Sequence, residues 1–368
     1  MAWMTPGGYC SLLLADMGAE VIILEQPEGG DPTRNIPWYF ESLHRNKKSI
    51  TINVGSEKGK EICYKLAQWA DVVIEGFRPG TAKRLGIDYD SFSKVNPKLI
   101  YASISGWGQD GPYSGRPGHD LSYMGAAGLL SNQMNEDNVM RPPVPIADLS
   151  SAMFATIGIL SALYYRGNAE KGQYVDVSMT DGLVSWMGLP LTKYLNSGDE
   201  APRLYDPAYD TFQTKDSNKP ISLSIAFEDH FWRNLCNIIN KKEWSNLTRE
   251  ERLSRRDELN NGLQEVFLAK SRDEWLQSLD AANVPSGPVY SVSEMCTDPH
   301  FQQRNMFAEA GKPQDEKMRL VSSPLKFSKT PVEIKTGPPC LGEHTEEILA
   351  SLGYTRQQID TMRREEVI

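Results

Sequence analysis

Short β-rich runs alternate with helical segments through the first half of the chain, and this rhythm constrains the fold more than any other feature. The runs are V-I-I-L-E at 21–25, an alternating stretch at 49–54, V-V-I-E at 72–75, L-I-Y-A-S-I-S at 99–105 and Y-V-D-V-S-M at 174–179. Between them lie helical stretches, expected at 8–17, 56–70 and from about Pro79 onward. Parallel strands need a long crossover whereas hairpins do not, so strand, helix, strand at this spacing implies a parallel sheet with right-handed connections.

The second half changes character. A strongly apolar helix is expected at 152–165, a further helix begins at Asp181-Gly182, and the polar stretch at 195–207 reads as a linker. Beyond it, two alternating runs around K-D-S-N read as a hairpin, and F-E-D-H-F-W-R-N-L-C-N-I-I-N places Phe231, Leu235 and Ile238 on one helical face. Charged helices at 251–269 and 271–281 complete a smaller α+β unit, and a tail from about Ser322 returns to an acidic helical C-terminus. The expected division is a large α/β domain at 1–195, a small α+β domain at 208–305, and a return at 318–368.

A net charge of −9 over 368 residues argues against a nucleic-acid partner, since phosphate binding normally leaves a basic footprint. Local cation clusters can still hold a small anion. Arg45, Lys47 and Lys48 form one such cluster, read either as a solvated surface or as an anion site, and Arg78 with Arg84 near the end of the 72–75 strand form another. The acid ending the first strand, Glu25, reads as a ribose contact or a solvated strand end. Cys10, Cys63, Cys236, Cys296 and Cys340 are scattered and odd in number, which suggests neither a disulfide framework nor a zinc site and fits a reducing cytosol. No charged segment followed by an apolar run opens the chain, and the helix at 152–165 is too short to cross a bilayer, so a cytoplasmic protein without a membrane partner is expected.

The candidate chemistry lies between Tyr101 and Asp148. Its Ser, Gly and Pro density at 105–118 marks a shaped loop, which delivers His119 between Gly118 and Asp120, and Asp148 follows just before the apolar helix. An acid there is read as a helix N-cap or as a carboxylate stabilised by backbone N–H groups. His119 is read as a proton-transfer group or a hydrogen-bonded loop residue. Asp120 is its expected tautomer partner, Gly118 is expected to admit a close-lying substrate arm, and Tyr123 to lend a hydroxyl.

The motifs L-L-L-A-D-M-G-A-E-V-I, N-K-K-S-I, E-G-F-R-P-G with K-R-L-G, N-P-K-L-I-Y-A-S-I-S-G-W-G-Q-D-G-P and G-E-H-T-E-E-I-L-A-S-L-G-Y run in order along nearly the whole chain. Together they resemble the family III CoA-transferase superfamily. The resemblance implies a Rossmann-like large domain, a small inserted domain, an interlocked homodimer, and an acyl-CoA substrate with coenzyme A as part of it and no prosthetic group or metal. It also implies that Arg34, Lys47, Lys48, Arg78 and Arg84 hold the CoA. Members of the family open with a strand ahead of the segment matching M-A-W-M-T-P-G-G, and many carry lysine where Val54 stands.

Within that superfamily, G-H-D-L-S-Y looks most like the α-methylacyl-CoA racemase branch, which implies His119 and Asp148 on opposite faces of the acyl α-carbon with Glu228 as a further acid. The expected activity is therefore exchange of the α-proton of a 2-methylacyl-CoA. The alternative is CoA transfer to a carboxylic acid through an anhydride and then a CoA thioester on Asp148. A third expectation, a CoA-binding partner subunit of a hetero-oligomer, predicts tight CoA binding with no turnover until a second chain is added.

Overall fold

The computed structural model describes residues 1–131, 134–135, 138–199, 206–311 and 317–368. Two compact units divide them, one formed by 1–196 with 305–368 and the other by 197–304.

In the first unit, helix α1 (Met4–Asp16) precedes strand β1 (Val21–Glu25), the short helix α2 (Pro37–Leu43) and strand β2 (Lys47–Thr51). Helix α3 (Glu57–Trp69), capped by the Ser56 hydroxyl on Gly59 N at 2.9 Å, leads to β3 (Val72–Glu75), the five-residue helix α4 (Thr81–Leu85) and β4 (Ile100–Ser105). Then come α5 (Asp120–Ala126), α6 (Ile146–Ala169), β5 (Tyr174–Ser178), α7 (Met179–Trp186) and α8 (Gly188–Ser197). The strands are parallel, but they form two pieces, β1 with β2 and β3-β4-β5, rather than the single sheet the rhythm implied. The facing edges of β1 and β3 have no strand partner among the described residues and line an apolar cleft of about 490 Å³.

Small residues set the packing. Ala102 of β4 and Ala152 and Ala155 of α6 are fully buried, which lets α6 lie close over the sheet with Cys10 and Leu14 of α1 beside it. On the other side, Ile50, Ile52, Ile62, Phe92 and Leu99 pack against the C-terminal return, where Ile348 and Leu349 of the helix Thr345–Ser351 and Ile359 and Met362 of the helix Arg356–Arg364 complete the core. That return also carries an antiparallel pair, Phe307–Gly311 with Lys317–Val321.

Helix α6 is longer than its apolar run suggested, spanning Ile146–Ala169, and by length and composition it is long enough to cross a membrane. Its inner face, including Ala147, Ser151 and Ile159, is buried against this unit.

The second unit is α+β. Strand β6 (Tyr209–Phe212) pairs antiparallel with β7 (Ile221–Ser224), which pairs with β8 (Ser286–Pro288). Helix α9 (Asp229–Ile238) packs Trp232 and Leu235 on this sheet, with Leu259, Phe267 and Trp275 from Arg256–Phe267 and Arg272–Ala281. The expected single helix at 251–269 is broken into Arg249–Ser254 and Arg256–Phe267. The expected linker at 195–207 is helical up to Ser197, and its residues 200–205 lie outside those described.

Candidate active site

The loop after β4 is rigidly anchored. Gly106 O accepts from Thr180 Oγ1 at 2.7 Å, Gln109 N donates to Asp176 Oδ2 at 3.0 Å, and Trp107 Nε1 donates to Arg116 O at 3.1 Å. The ring of Tyr123, on α5, wedges into this loop where side chains are missing. A Cβ at Gly106 would lie 2.3 Å from that ring, and one at Gly118 2.7 Å from it. Gly118 therefore makes room for Tyr123 rather than for a substrate arm. Tyr123 Oη donates to Gly118 O at 2.7 Å, so its hydroxyl fixes the backbone just before His119.

His119 is the N-cap residue of α5 and is exposed, and its side chain makes no cap bond. Asp120 does not face it. Its Oδ1 accepts from Ala147 N at 2.6 Å and Asp148 N at 3.3 Å, capping α6 from a different element. The sequence reading of Asp120 as a tautomer partner is thus corrected: α6 opens at Ile146 after Pro145, which offers no side-chain oxygen, and Asp120 fills the vacancy.

Asp148 is accordingly the third residue of α6, not the residue before it. Thr5, in the first turn of α1, lies near enough to act on its carboxylate, and farther along Thr156 Oγ1 lies 3.5 Å from Cys10 Sγ. The two helices therefore run in the same sense, with both N-terminal ends at the carboxylate. Burial and the neighbouring Asp120 charge nevertheless push Asp148 up to about 6, against the pull of the Thr5 hydroxyl and His119. This half-buried carboxylate has a helix-end field but no ion pair among the described residues. Such an acid is ionised at neutral pH and remains reactive.

The predicted CoA-binding cations separate into two groups. Arg34 forms a bidentate pair with Glu25, 2.7 Å to each oxygen, and also donates to Pro339 O. Glu25 is fully buried and accepts from Ser49 Oγ at 2.6 Å and Asp31 N at 2.9 Å. Burial would raise its carboxyl, but these donors hold it below the usual carboxylate range, and the sealed Glu25 is not exposed to touch a ribose.

Lys47 is buried, its ammonium donating to Gly8 O at 2.8 Å and Ser11 Oγ at 2.7 Å, with His44 Nδ1 3.2 Å away. Lys48 pairs at the surface with Glu20 and Glu347, at 3.0 and 2.8 Å. Arg45 is tied to Asp16 at 2.6 Å, so it too is interior. These placements correct the reading of 45–48 as an anion site. The strand begins at Lys47, and alternation turns that residue inward toward α1 and its neighbour outward.

Arg78 and Arg84 differ: both are exposed, and neither has an ion pair among the described residues. Arg78 precedes α4 and Arg84 lies in its last turn; the helix starts at Thr81 after Gly80 (φ 82°) instead of at Pro79. Arg78 is also near enough to Tyr123 to act on it electrostatically.

Glu228 is the exposed N-cap residue of α9 in the second unit and makes no side-chain cap bond. His230 is exposed there, whereas His344 of the first unit is half-buried and accepts from Ser49 N at 3.2 Å. Thr5 was missed because M-T-P-G-G reads as loop, although α1 in fact begins at Met4.

The family model for CoA-transferase family III matches residues 1–345. This chain belongs to CoA-transferase family III. Like the other members, it is an α/β enzyme. A succinyl-CoA:mesaconate CoA-transferase of Haloarcula marismortui is 31% identical over 94% of this family III chain and 93% of its own. A formyl-CoA:oxalate CoA-transferase of Streptomyces avermitilis is 30% identical, covering 100% and 97%. Among solved structures, a CaiB/BaiF family protein from Brucella suis superimposes with a TM-score of 0.84 at 31% identity, covering 96% of this chain and 97% of that one.

Proposed function

We propose that this family III chain moves CoA from an acyl-CoA to a free carboxylic acid, with Asp148 as nucleophile. The supporting observation is the Asp148 carboxylate, without an ion pair among the described residues, at the N-terminal ends of α1 and α6, and relatives named for CoA transfer to mesaconate and oxalate favour this over racemisation. Asp148 attacks the thioester carbonyl and expels CoA thiolate, giving a mixed anhydride. The thiolate then attacks the aspartyl carbonyl and releases the donor acid, leaving a CoA thioester on Asp148. The acceptor carboxylate repeats the two steps in reverse order, so acyl-CoA leaves and the aspartate is regenerated.

Asp120 holds the first turn of α6 so that the carboxylate stays aimed. The exposed guanidinium groups of Arg78 and Arg84 take the CoA phosphates. No prosthetic group or metal is required, since CoA enters as part of the substrate. The working unit is a cytoplasmic homodimer. Met153, Ile157, Leu160 and Tyr164 supply an exposed apolar stripe at three- and four-residue spacing on α6 for the second copy to cover.

One observation favours a second reading. His119 opens α5 within electrostatic reach of Asp148, as a pair exchanging an α-proton would require. In that reading Glu228 is a supporting acid; in the transfer scheme it has no step. Incubating the protein with a branched acyl-CoA in deuterated water, with and without a carboxylic acid, separates the two. Acceptor-dependent formation of a new thioester supports transfer. Deuterium at the α-carbon without an acceptor supports racemisation and overturns our proposal.

A further inference from the structure

The turn that carries Arg78 leaves the sheet under the control of a buried carboxylate that no step of the transfer chemistry uses. Glu75 is the last residue of β3 and is 2% exposed, and its partner across the pairing with β4 is Ser103. Paired residues of neighbouring strands put their side chains on the same face, and here they meet: Ser103 Oγ donates to Glu75 Oε1. The other oxygen, Oε2, accepts from Phe77 N at 2.6 Å. A backbone N–H just past a strand end has lost its ladder partner, and the carboxylate replaces it. Burial pushes this carboxyl up against the pull of those two donors, and it has no ion pair among the described residues.

The rest of the turn follows from that bond. Phe77 stands edge-on to Trp3, with ring centres 6.4 Å apart and planes at 69°, and Trp3 Nε1 donates to Leu24 O of β1 at 3.2 Å. One residue on, Arg78 O accepts from Thr81 N at 3.0 Å, and Gly80 O accepts from Arg84 N at 3.0 Å, so a turn and α4 join the two arginines. Their neighbours Phe77 and Leu85 line a cavity of about 750 Å³ together with Trp3, Leu24, Ile52 and Val54. Where residue 77 is held therefore decides where both guanidinium groups start.

We propose that Glu75 is a positioning residue for the CoA phosphates: it fixes the turn after β3 so that Arg78 and Arg84 are presented to them together. The inference rests on the part of the proposed function that assigns those arginines to CoA, and not on the covalent step at Asp148. Groups held in place before the ligand arrives lose less freedom when it binds, so removing the anchor weakens binding although no contact to CoA is deleted.

The test is CoA binding by titration calorimetry, which needs neither an acceptor acid nor turnover. Glu75→Leu removes both acceptor oxygens and weakens CoA binding about tenfold, the size of one lost hydrogen bond to a charged group. Glu75→Gln restores it to within about twofold, because its carbonyl accepts from Phe77 N while its amide donates to Ser103 Oγ. In a chain carrying both Arg78→Met and Arg84→Met, Glu75→Leu has no further effect, a result that a merely structural role would not produce. If Glu75→Leu does not fold, Ser103→Ala, which frees the carboxylate from β4, decides by the same comparison with a smaller loss. An unchanged dissociation constant in the folded variant, or a loss that persists in full without the arginines, overturns the inference. Should the double arginine variant bind CoA as wild type does, the assignment of the phosphates fails. Should it bind weakly while Glu75→Leu binds normally, the positioning role alone fails.

Discussion

Glu25 and Asp148 are both carboxylates of the first unit, and their surroundings are nearly opposite. Glu25 is sealed and fully matched, with two bonds from Arg34, one from Ser49 and one from Asp31 N. Asp148 is half-buried, has a negative neighbour in Asp120, and has no ion pair among the described residues. Burial raises both, yet Glu25 ends below its ordinary value and Asp148 near 6. The contrast separates an acid that holds a fold from one available for chemistry. A guanidinium in bidentate contact would stabilise Asp148 and also blunt it as a nucleophile.

Substitutions break this comparison at different points. Asp148→Asn is expected to lower CoA-transfer turnover about a thousandfold or more while the thermal midpoint stays close to wild type, read from steady-state rates and melting. Arg34→Met acts on stability. It strands Glu25 as a buried unpaired charge and costs about 3–5 kcal/mol in denaturant unfolding, with KM for acyl-CoA changing little in whatever protein remains folded. A large rise in KM with unchanged stability would reassign Arg34 to substrate binding.

Asp120→Asn has a smaller effect and a definite sign. It keeps an oxygen for the amides of Ala147 and Asp148 but removes the adjacent charge, so the acidic limb of the kcat/KM profile moves from about 6 to lower pH.

The smallest effect concerns Lys47, which burial lowers to about 7 from an ordinary 10.5. Between those values the unfolded chain binds the extra proton and the folded one does not, so this residue makes stability increase with pH across that window. Melting temperatures of Lys47→Met should lack that component of the slope.

Much of the first unit was legible because β-rich runs and helical period are local signals. The strands at 21–25 and 72–75 lie where the sequence put them. What escaped depends on distant partners. The apolar helix begins three residues earlier than the N-cap reading of Asp148 placed it, because its cap, Asp120, comes from another helix and no local residue announces it. Gly118 looked like space for a ligand, but the ring that fills it belongs to Tyr123, five residues on. Lys47 looked like a surface cation because a lysine-rich strand start gives no sign of which side faces inward. The acid at 148 stood out, while the hydroxyl beside it, in a stretch dominated by proline and glycine, did not.

The central claim is that Asp148 becomes covalently linked to CoA. The direct measurement is mass analysis of the peptide containing Asp148 after incubation with acyl-CoA and quenching with hydroxylamine, which converts an aspartyl thioester or anhydride to a hydroxamate. The account predicts a hydroxamate on Asp148 that disappears in Asp148→Asn and declines when a productive acceptor acid is present. Turnover of acyl-CoA to a new thioester, with Asp148 recovered unmodified at every quench time, would contradict it.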